Sequence, residues 1–210
     1  MNEKLAALIG MLLSDGSVYF DKSKRTYCIQ LTSKPASMRR VFESLMRDCF
    51  GIKNFHENDC KNAISSRAFS KSVAQQLFAY TPTYRTQKFP DGSFPPARIP
   101  KEILASEKLI RAFLRTYASC DGCAYRNSSH PNGVVEIACT HPTIRSQLAE
   151  CLGKLGIHCR TRYKGVEIYR SESVRKFRDV IGFLDESLVS DTTSSRFGTP
   201  KNELLSPCLP

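Results

Sequence analysis

The strongest constraint on this chain is that it states one structural plan twice. Residues Glu3–Ser14 read as a helix in which Leu5, Leu8, Ile9, Leu12 and Leu13 wrap the axis in apolar surface. A helix that is apolar on every side must be buried on every side. Ala6, Ala7, Gly10 and Ser14 are small, so a second helix can approach closely. Asp15-Gly16 ends the run, since glycine readily takes helix-terminating conformations. Lys101–Cys120 repeats the theme with Leu109, Ile110, Phe113, Leu114 and Tyr117. It closes on Asp121-Gly122, 106 residues after the first Asp-Gly.

The segments after each Asp-Gly also repeat. Ser17–Phe20 and Thr26–Thr32 have the aromatic and β-branched character of strands, around a charged hairpin loop at 21–25. Val18 and Phe20 share a face with Tyr27, Ile29 and Leu31, while Ser17, Tyr19, Gln30 and Thr32 point the other way. A helix from Ser33-Lys34-Pro35 to about Phe50, strands near Asn54–Glu57 and Asn62–Arg67, and a helix from Ser70 to about Tyr80 complete the first unit. In the second, strands are expected near Cys123–Tyr125, Val134–Cys139, His158–Tyr163 and Val166–Tyr169. Its helices are expected over Pro142–Leu155 and from Ser171 to about Phe183. Short echoes set the register. Lys34-Pro35 answers His141-Pro142, and Phe50-Gly51-Ile52 answers Leu155-Gly156-Ile157. The segment 81–100 carries Pro82, Pro90, Pro95, Pro96 and Pro100 and reads as a semi-rigid linker. The expected organisation is therefore an α+β chain with halves at 1–80 and 101–189 and a polar tail at 190–210.

Net charge narrows the partner. The chain carries +11, with 15 Lys/Arg against 8 Asp/Glu before residue 101 and 16 against 12 after it. An excess spread over both halves favours a polyanion such as nucleic acid. The nine cysteines are odd in number and irregularly spaced, which fits buried apolar residues better than a disulfide framework. The apolar run Leu5–Leu13 follows an acidic Glu3 and is too short to span a bilayer, which takes about 20 residues. An intracellular protein (cytoplasmic or nucleoid, or organellar in a eukaryote) without a membrane partner is expected.

Packing the two apolar helices side by side would bring Asp15 and Asp121 together at their C-terminal ends. Close carboxylates repel unless a cation or shared proton lies between them. Mg²⁺ commonly takes one or two carboxylates, several waters and phosphate oxygens, and metal pairs of this kind can clamp both oxygens of phosphodiester hydrolysis. Cys120-Asp121-Gly122-Cys123 is a CxxC, but it has no second pair to complete a zinc site and lies at a helix end rather than a helix start.

Leu8-Ile9-Gly10-Met11-Leu12-Leu13-Ser14-Asp15-Gly16 resembles the LAGLIDADG signature at its leading Leu, its helix-packing Gly and its Asp-Gly. Phe113–Gly122 resembles the second copy of single-chain members, with Thr116 where a small Gly is usual. The resemblance spans roughly residues 5–183. It implies two αββαββα halves, each with a saddle-shaped antiparallel sheet whose concave face lies in a DNA major groove. It implies a monomeric, Mg²⁺-dependent homing endonuclease that cuts both strands, with other divalent cations able to substitute. Asp15 and Asp121 would bind metal, with carbonyls from Ser14 and Cys120. A basic residue after the second strand is implied, a place filled by Lys34. Thr140 or His141 stands there in the second half, and His141 would act as proton carrier or phosphate contact. Candidate DNA contacts on sheet faces and hairpin tips are Ser17, Tyr19, Lys24, Arg25, Gln30, Thr32, Arg67, Arg126, Arg160, Arg162, Lys164 and Arg170. Glu136 and Glu167 fit that surface poorly. Since no splicing segments flank the repeat, an intron-borne or free-standing gene is expected rather than an intein. Two alternatives share the fold: an intron RNA maturase, and a non-cleaving DNA-binding protein. The second would usually add a helix-turn-helix domain, for which the tail leaves no room.

Overall fold

A computed structural model describes every residue except 61, 128–129, 190–195 and 206–210. At its centre α1 (Glu3–Leu13) packs against α5 (Glu107–Asp121), the most extensive helix–helix contact of the molecule. Ala6, Leu8, Ile9, Met11, Leu12 and Leu13 are buried on α1, and Ile110, Phe113, Leu114, Tyr117 and Ala118 on α5. The all-round apolar pattern of α1 thus has its physical reason: one face meets α5 and the others meet the sheet and α2 (Ala36–Phe50).

Each half hangs one antiparallel four-stranded sheet on this pair. In the first, β1 (Gly16–Asp21), β2 (Thr26–Ser33), β4 (Ala63–Phe69) and β3 (His56–Cys60) lie in that order. In the second, the order is β5 (Gly122–Asn127), β6 (His130–Ala138), β8 (Gly165–Ile168) and β7 (Arg160–Arg162). Helices α2, α3 (Lys71–Phe78), α6 (Pro142–Lys154) and α7 (Ser171–Val180) complete the halves. The result is the two-half α+β arrangement that the sequence pattern implies. Among the described residues no helix is long and apolar enough to cross a membrane, and the described cysteines are free thiols.

Several boundaries differ from the sequence reading. The expected helix 101–120 is two helices, α4 (Lys101–Leu104) and α5, because the backbone of Ser106 is extended. β3 begins at His56 rather than Asn54; its first four residues are polar and exposed, so no alternation of apolar side chains marks it. α7 stops at Val180, two residues before Gly182 adopts φ 61°. The repeat register also shifts by one at one echo. Pro35 and His141 are the N-caps of α2 and α6, so Lys34 corresponds to Thr140. Two matched arginines mark this symmetry. Arg39 donates to the carbonyls of Ser33 and Lys34, and Arg145 to those of Thr140 and Tyr163.

The linker is tied down rather than free. Tyr84 is buried and donates to the carbonyl of Leu77, and Ile99 exchanges hydrogen bonds with the Gln147 side chain. Beyond α7 the chain turns back. Val189 and Thr199 pair as a small hairpin, and a 3₁₀ turn at Lys201–Leu205 packs on β5. Of the segment read as a polar tail, 190–195 and 206–210 lie outside the described residues.

Candidate active site

The motif glycines act through space rather than torsion. Gly122 is extended, at φ −98° and ψ 155°. A Cβ there would collide with the carbonyl of Ala118, one turn back in α5. At Gly16 a Cβ would lie 2.6 Å from the Leu12 Cα. Each strand therefore leaves its helix too tightly for any side chain, and that turn fixes where the preceding Asp points.

Gly10 and Thr116 occupy corresponding places in the repeat and meet where α1 crosses α5. A Cβ on Gly10 would fall 2.6 Å from the Phe113 carbonyl and still closer to Thr116 Oγ1. Thr116 replaces the usual small residue without forcing the helices apart, because its Oγ1 lies 2.7 Å from the Ala7 carbonyl and donates to it across the interface.

Asp15 follows the end of α1 and Asp121 is the last residue of α5, so both carboxylates sit at the negative ends of helix dipoles. Burial pushes the Asp121 carboxyl up to about 8. The nearby Asp15 adds to that rise, and Lys201 opposes it. Asp15 is likewise raised by burial and drawn back by Lys201. The two halves thus place their acids within electrostatic reach of each other, as the paired motifs require. Asp15, Thr32, Lys34, Cys120 and Lys201 line one cavity of ≈ 230 Å³. Lys34 is exposed there, beside the acid of its own half. Cys120 is half-buried, and desolvation makes its thiol far less acidic than usual. Among the described residues no cluster of three His, Cys, Asp or Glu side chains is present. The donor set is therefore two carboxylates with neighbouring carbonyls. That suits a hard, oxygen-seeking cation such as Mg²⁺ rather than zinc.

Lys201 is the residue that sequence reasoning missed. It is 6% exposed, and its Nζ donates to the carbonyls of Ser119 (2.8 Å) and Gly122 (2.6 Å), on either side of Cys120-Asp121. Burial pushes its pKa down, while Cys120, Cys123, Asp15 and Asp121 pull it up. Nothing in the polar segment around Pro200-Lys201 signals this placement. His141 is placed differently from its expected role. It is 2% exposed; its Nδ1 accepts from the Ile144 amide, and its Nε2 donates to the Pro95 carbonyl at 2.7 Å. With both ring nitrogens engaged, it caps α6 and anchors the linker, and neither nitrogen is left for a phosphate. Thr140 is exposed and uncharged.

The outer sheet faces differ between halves. Across the first sheet Ser17, Gln30, Arg67 and His56 form one row by register. Tyr19 is on the same face, and Thr32 shares a 2.5 Å hydrogen bond with Ser65. Among the described residues Arg67 Nε, a buried atom, has no hydrogen-bond partner. The corresponding row of the second sheet is Cys123, Glu136, Glu167 and Arg160. Glu167 accepts from Arg160 (3.0 and 2.5 Å) and Arg162 (2.8 Å), which hold its carboxyl below the usual range. Both arginines expected to contact DNA are thus paired within the protein. Lys24 and Arg25 form the exposed β1–β2 tip, with Arg25 at φ 49°, and Lys164 lies in the exposed β7–β8 turn. Arg126 is on β5, and Arg170 precedes α7.

Two apolar helices crossing at small residues, each ending on an Asp-Gly that launches a four-stranded sheet, define the LAGLIDADG fold. This chain carries that fold in two halves. A family model described as a LAGLIDADG-like domain matches residues 108–182. Among solved structures, variants of the homing endonuclease I-DmoI match at TM-score 0.63 and 16% identity, over 85% of this chain and 90% of theirs. I-DmoI in complex with DNA and Mn matches at 0.61 and 14%, over 86% and 96%. The N-terminal LAGLIDADG domain of DUF199/WhiA matches at 0.54 and 14%, over 86% and 82%. Among curated proteins, the replication factor C small subunits of Methanocaldococcus jannaschii and Pyrococcus horikoshii are 27% and 26% identical, each over 88% of this chain. The chain spans only 10% and 19% of the lengths of these two proteins. An A-type ATP synthase component of Pyrococcus abyssi is 26% identical over 80% of this chain, which spans 15% of its length.

Proposed function

We propose that this chain is a site-specific double-strand DNA endonuclease that hydrolyses phosphodiester bonds with a divalent cation, Mg²⁺ in the cell. The observation that carries the reading is the pairing of Asp15 with Asp121 across the α1–α5 contact. Two half-buried acids on helix ends are costly to charge without a cation, and a nuclease needs a cation at such a place. When bound, the metal would polarise the scissile phosphate and help generate hydroxide from a bound water. Asp15 and Asp121 would hold it, with the carbonyls of Ser14 and Cys120. Lys34, on the same cavity, would hold the water network and the phosphate of its half by charge.

Recognition falls to the outer sheet faces. Gln30 and Arg67 adjoin each other across β2 and β4, and such groups can read adenine and guanine edges bidentately. Lys24, Arg25, Arg126, Lys164 and Arg170 would contact backbone phosphates. Similarity of fold to I-DmoI solved with DNA and Mn, and with DNA and Ca, supports this reading. So does the similarity of this chain to a short part of proteins as unlike as a replication factor C small subunit and an ATP synthase component, since a mobile site-specific nuclease would travel between genes. A monomer suffices, because one chain supplies both halves.

A second reading, a DNA-binding protein that does not cut, is favoured by one observation. The second half lacks a basic counterpart to Lys34, having exposed Thr140 and a fully engaged His141. Cleavage of a randomised site library with Mg²⁺, compared with Asp15→Asn and Asp121→Asn, separates the two. Cutting that both variants lose supports the nuclease; binding without cutting supports the second reading. Preference for folded intron RNA would turn the assignment toward a maturase.

A further inference from the structure

A cation already lies within electrostatic reach of both carboxylates and shares the cavity of Asp15, and it comes from the far end of the chain. After α7 the backbone returns to the end of α5. There Leu184 N donates to Ser119 Oγ (2.8 Å) and Ser187 Oγ to the Ser119 carbonyl (2.8 Å). Lys201 N then bonds the Ser187 carbonyl (3.0 Å), closing the hairpin, and its Nζ takes the Ser119 and Gly122 carbonyls. These carbonyls belong to the terminus of α5, where orphan acceptors and the helix dipole favour a positive charge. Ser187, Leu188 and Lys201 line the cavity that holds Asp15. On the first half Ser14 Oγ bonds back to the carbonyls of Gly10 and Met11 in its own helix.

We propose that Lys201 is a built-in counter-cation of the Asp15–Asp121 pair: docked by the C-terminal hairpin, its ammonium opposes the charge of a divalent cation and so weakens metal binding in the DNA-free protein. The proposal rests on the assignment of the pair as a metal site. Physically, a fixed positive charge in a poorly solvated cavity repels a second cation strongly, because little water screens it.

The test is Mn²⁺ binding to the full chain without DNA, read from the loss of the free Mn²⁺ electron paramagnetic resonance signal. Lys201→Gln keeps a hydrogen-bond donor for the two carbonyls and removes the charge. Ser187→Ala keeps the charge and loosens its docking. Lys201→Gln is expected to bind Mn²⁺ at least tenfold more tightly than the parent, Ser187→Ala severalfold more tightly, and Lys201→Arg like the parent. Should Lys201→Gln fail to fold, Ser187→Ala carries the comparison. Unchanged or weaker binding in both Lys201→Gln and Ser187→Ala, with binding still abolished by Asp15→Asn/Asp121→Asn, overturns the role of Lys201 and leaves the metal site standing. Binding that survives the double Asp variant overturns the site assignment and the proposal together.

Discussion

Replacing Asp121 with Asn should make the metal-free protein more stable, and increasingly so as pH rises from about 4 to about 8. An Asp in the unfolded chain releases its proton near pH 3.9, whereas burial and the charge of Asp15 hold the native Asp121 carboxyl at about 8. Between those values the native state keeps a proton that the unfolded state has lost, so unfolding free energy falls with pH. One such group gives a slope of up to about 1.4 kcal/mol per pH unit. For a domain of this size each kcal/mol moves the melting temperature by roughly 2–4 °C. The Asp121→Asn change removes the titration, so variant and parent should coincide near pH 4 and diverge steadily up to about pH 8. Urea unfolding in chelator at fixed ionic strength, from pH 4.5 to 8.5, measures the gap. In an Asp15→Asn background the gap should stop growing at lower pH, because one source of the raised carboxyl is gone. Saturating Mg²⁺ at about 100 times its Kd should return about 2.7 kcal/mol to the parent and nothing to the Asp121→Asn variant. A gap independent of pH would refute the argument that the two acids face each other in a poorly solvated site.

Gly10→Ala should cost roughly 1–3 kcal/mol in urea unfolding, as overpacking does, and Gly10→Ala with Thr116→Ala should recover only part, since the Phe113 carbonyl also lies 2.6 Å from the new Cβ. His141→Gln should lower stability, through loss of the α6 cap and the Pro95 bond, by about 1–2 kcal/mol, while leaving the pH profile of cleavage in shape; a changed profile would return His141 to the chemistry. Arg67→Ala should weaken binding to the preferred DNA site by roughly 1–3 kcal/mol relative to a random duplex in a titration at fixed salt. Lys34→Met should reduce strand cleavage in a nicking assay with little change in DNA affinity.

The parts legible from sequence were those whose chemistry repeats along the chain. Apolar wrapping of α1 and α5, the small residues at their crossing and the two Asp-Gly steps all follow from local pattern, and together they locate Asp15 and Asp121. The pattern could not assign the reason for Gly122, since a glycine kept for a clash with Ala118 looks like one kept for its torsion. It joined α4 to α5 because Ala105-Ser106 carries no breaking residue. It also overvalued Arg160 and Arg162: strand alternation gives their face correctly, but only the register across β7 and β8 reveals Glu167 between them. Lys201 was beyond reach because its partners are main-chain carbonyls about 80 residues earlier, and those leave no trace in composition or periodicity.

The Gly10–Thr116 crossing bears on how the two halves recognise each other. Glycine on one side and threonine on the other make the crossing unsymmetric, each side fitted to the other. Two first halves would set glycine against glycine and lose the hydroxyl that bonds the Ala7 carbonyl across the interface; two second halves would set hydroxyl against hydroxyl with no glycine to receive either. Cut in the proline-rich stretch and produced as separate polypeptides, the pieces would find each other in preference to themselves, and so bring the unlike strap of Lys201 to every reassembled molecule.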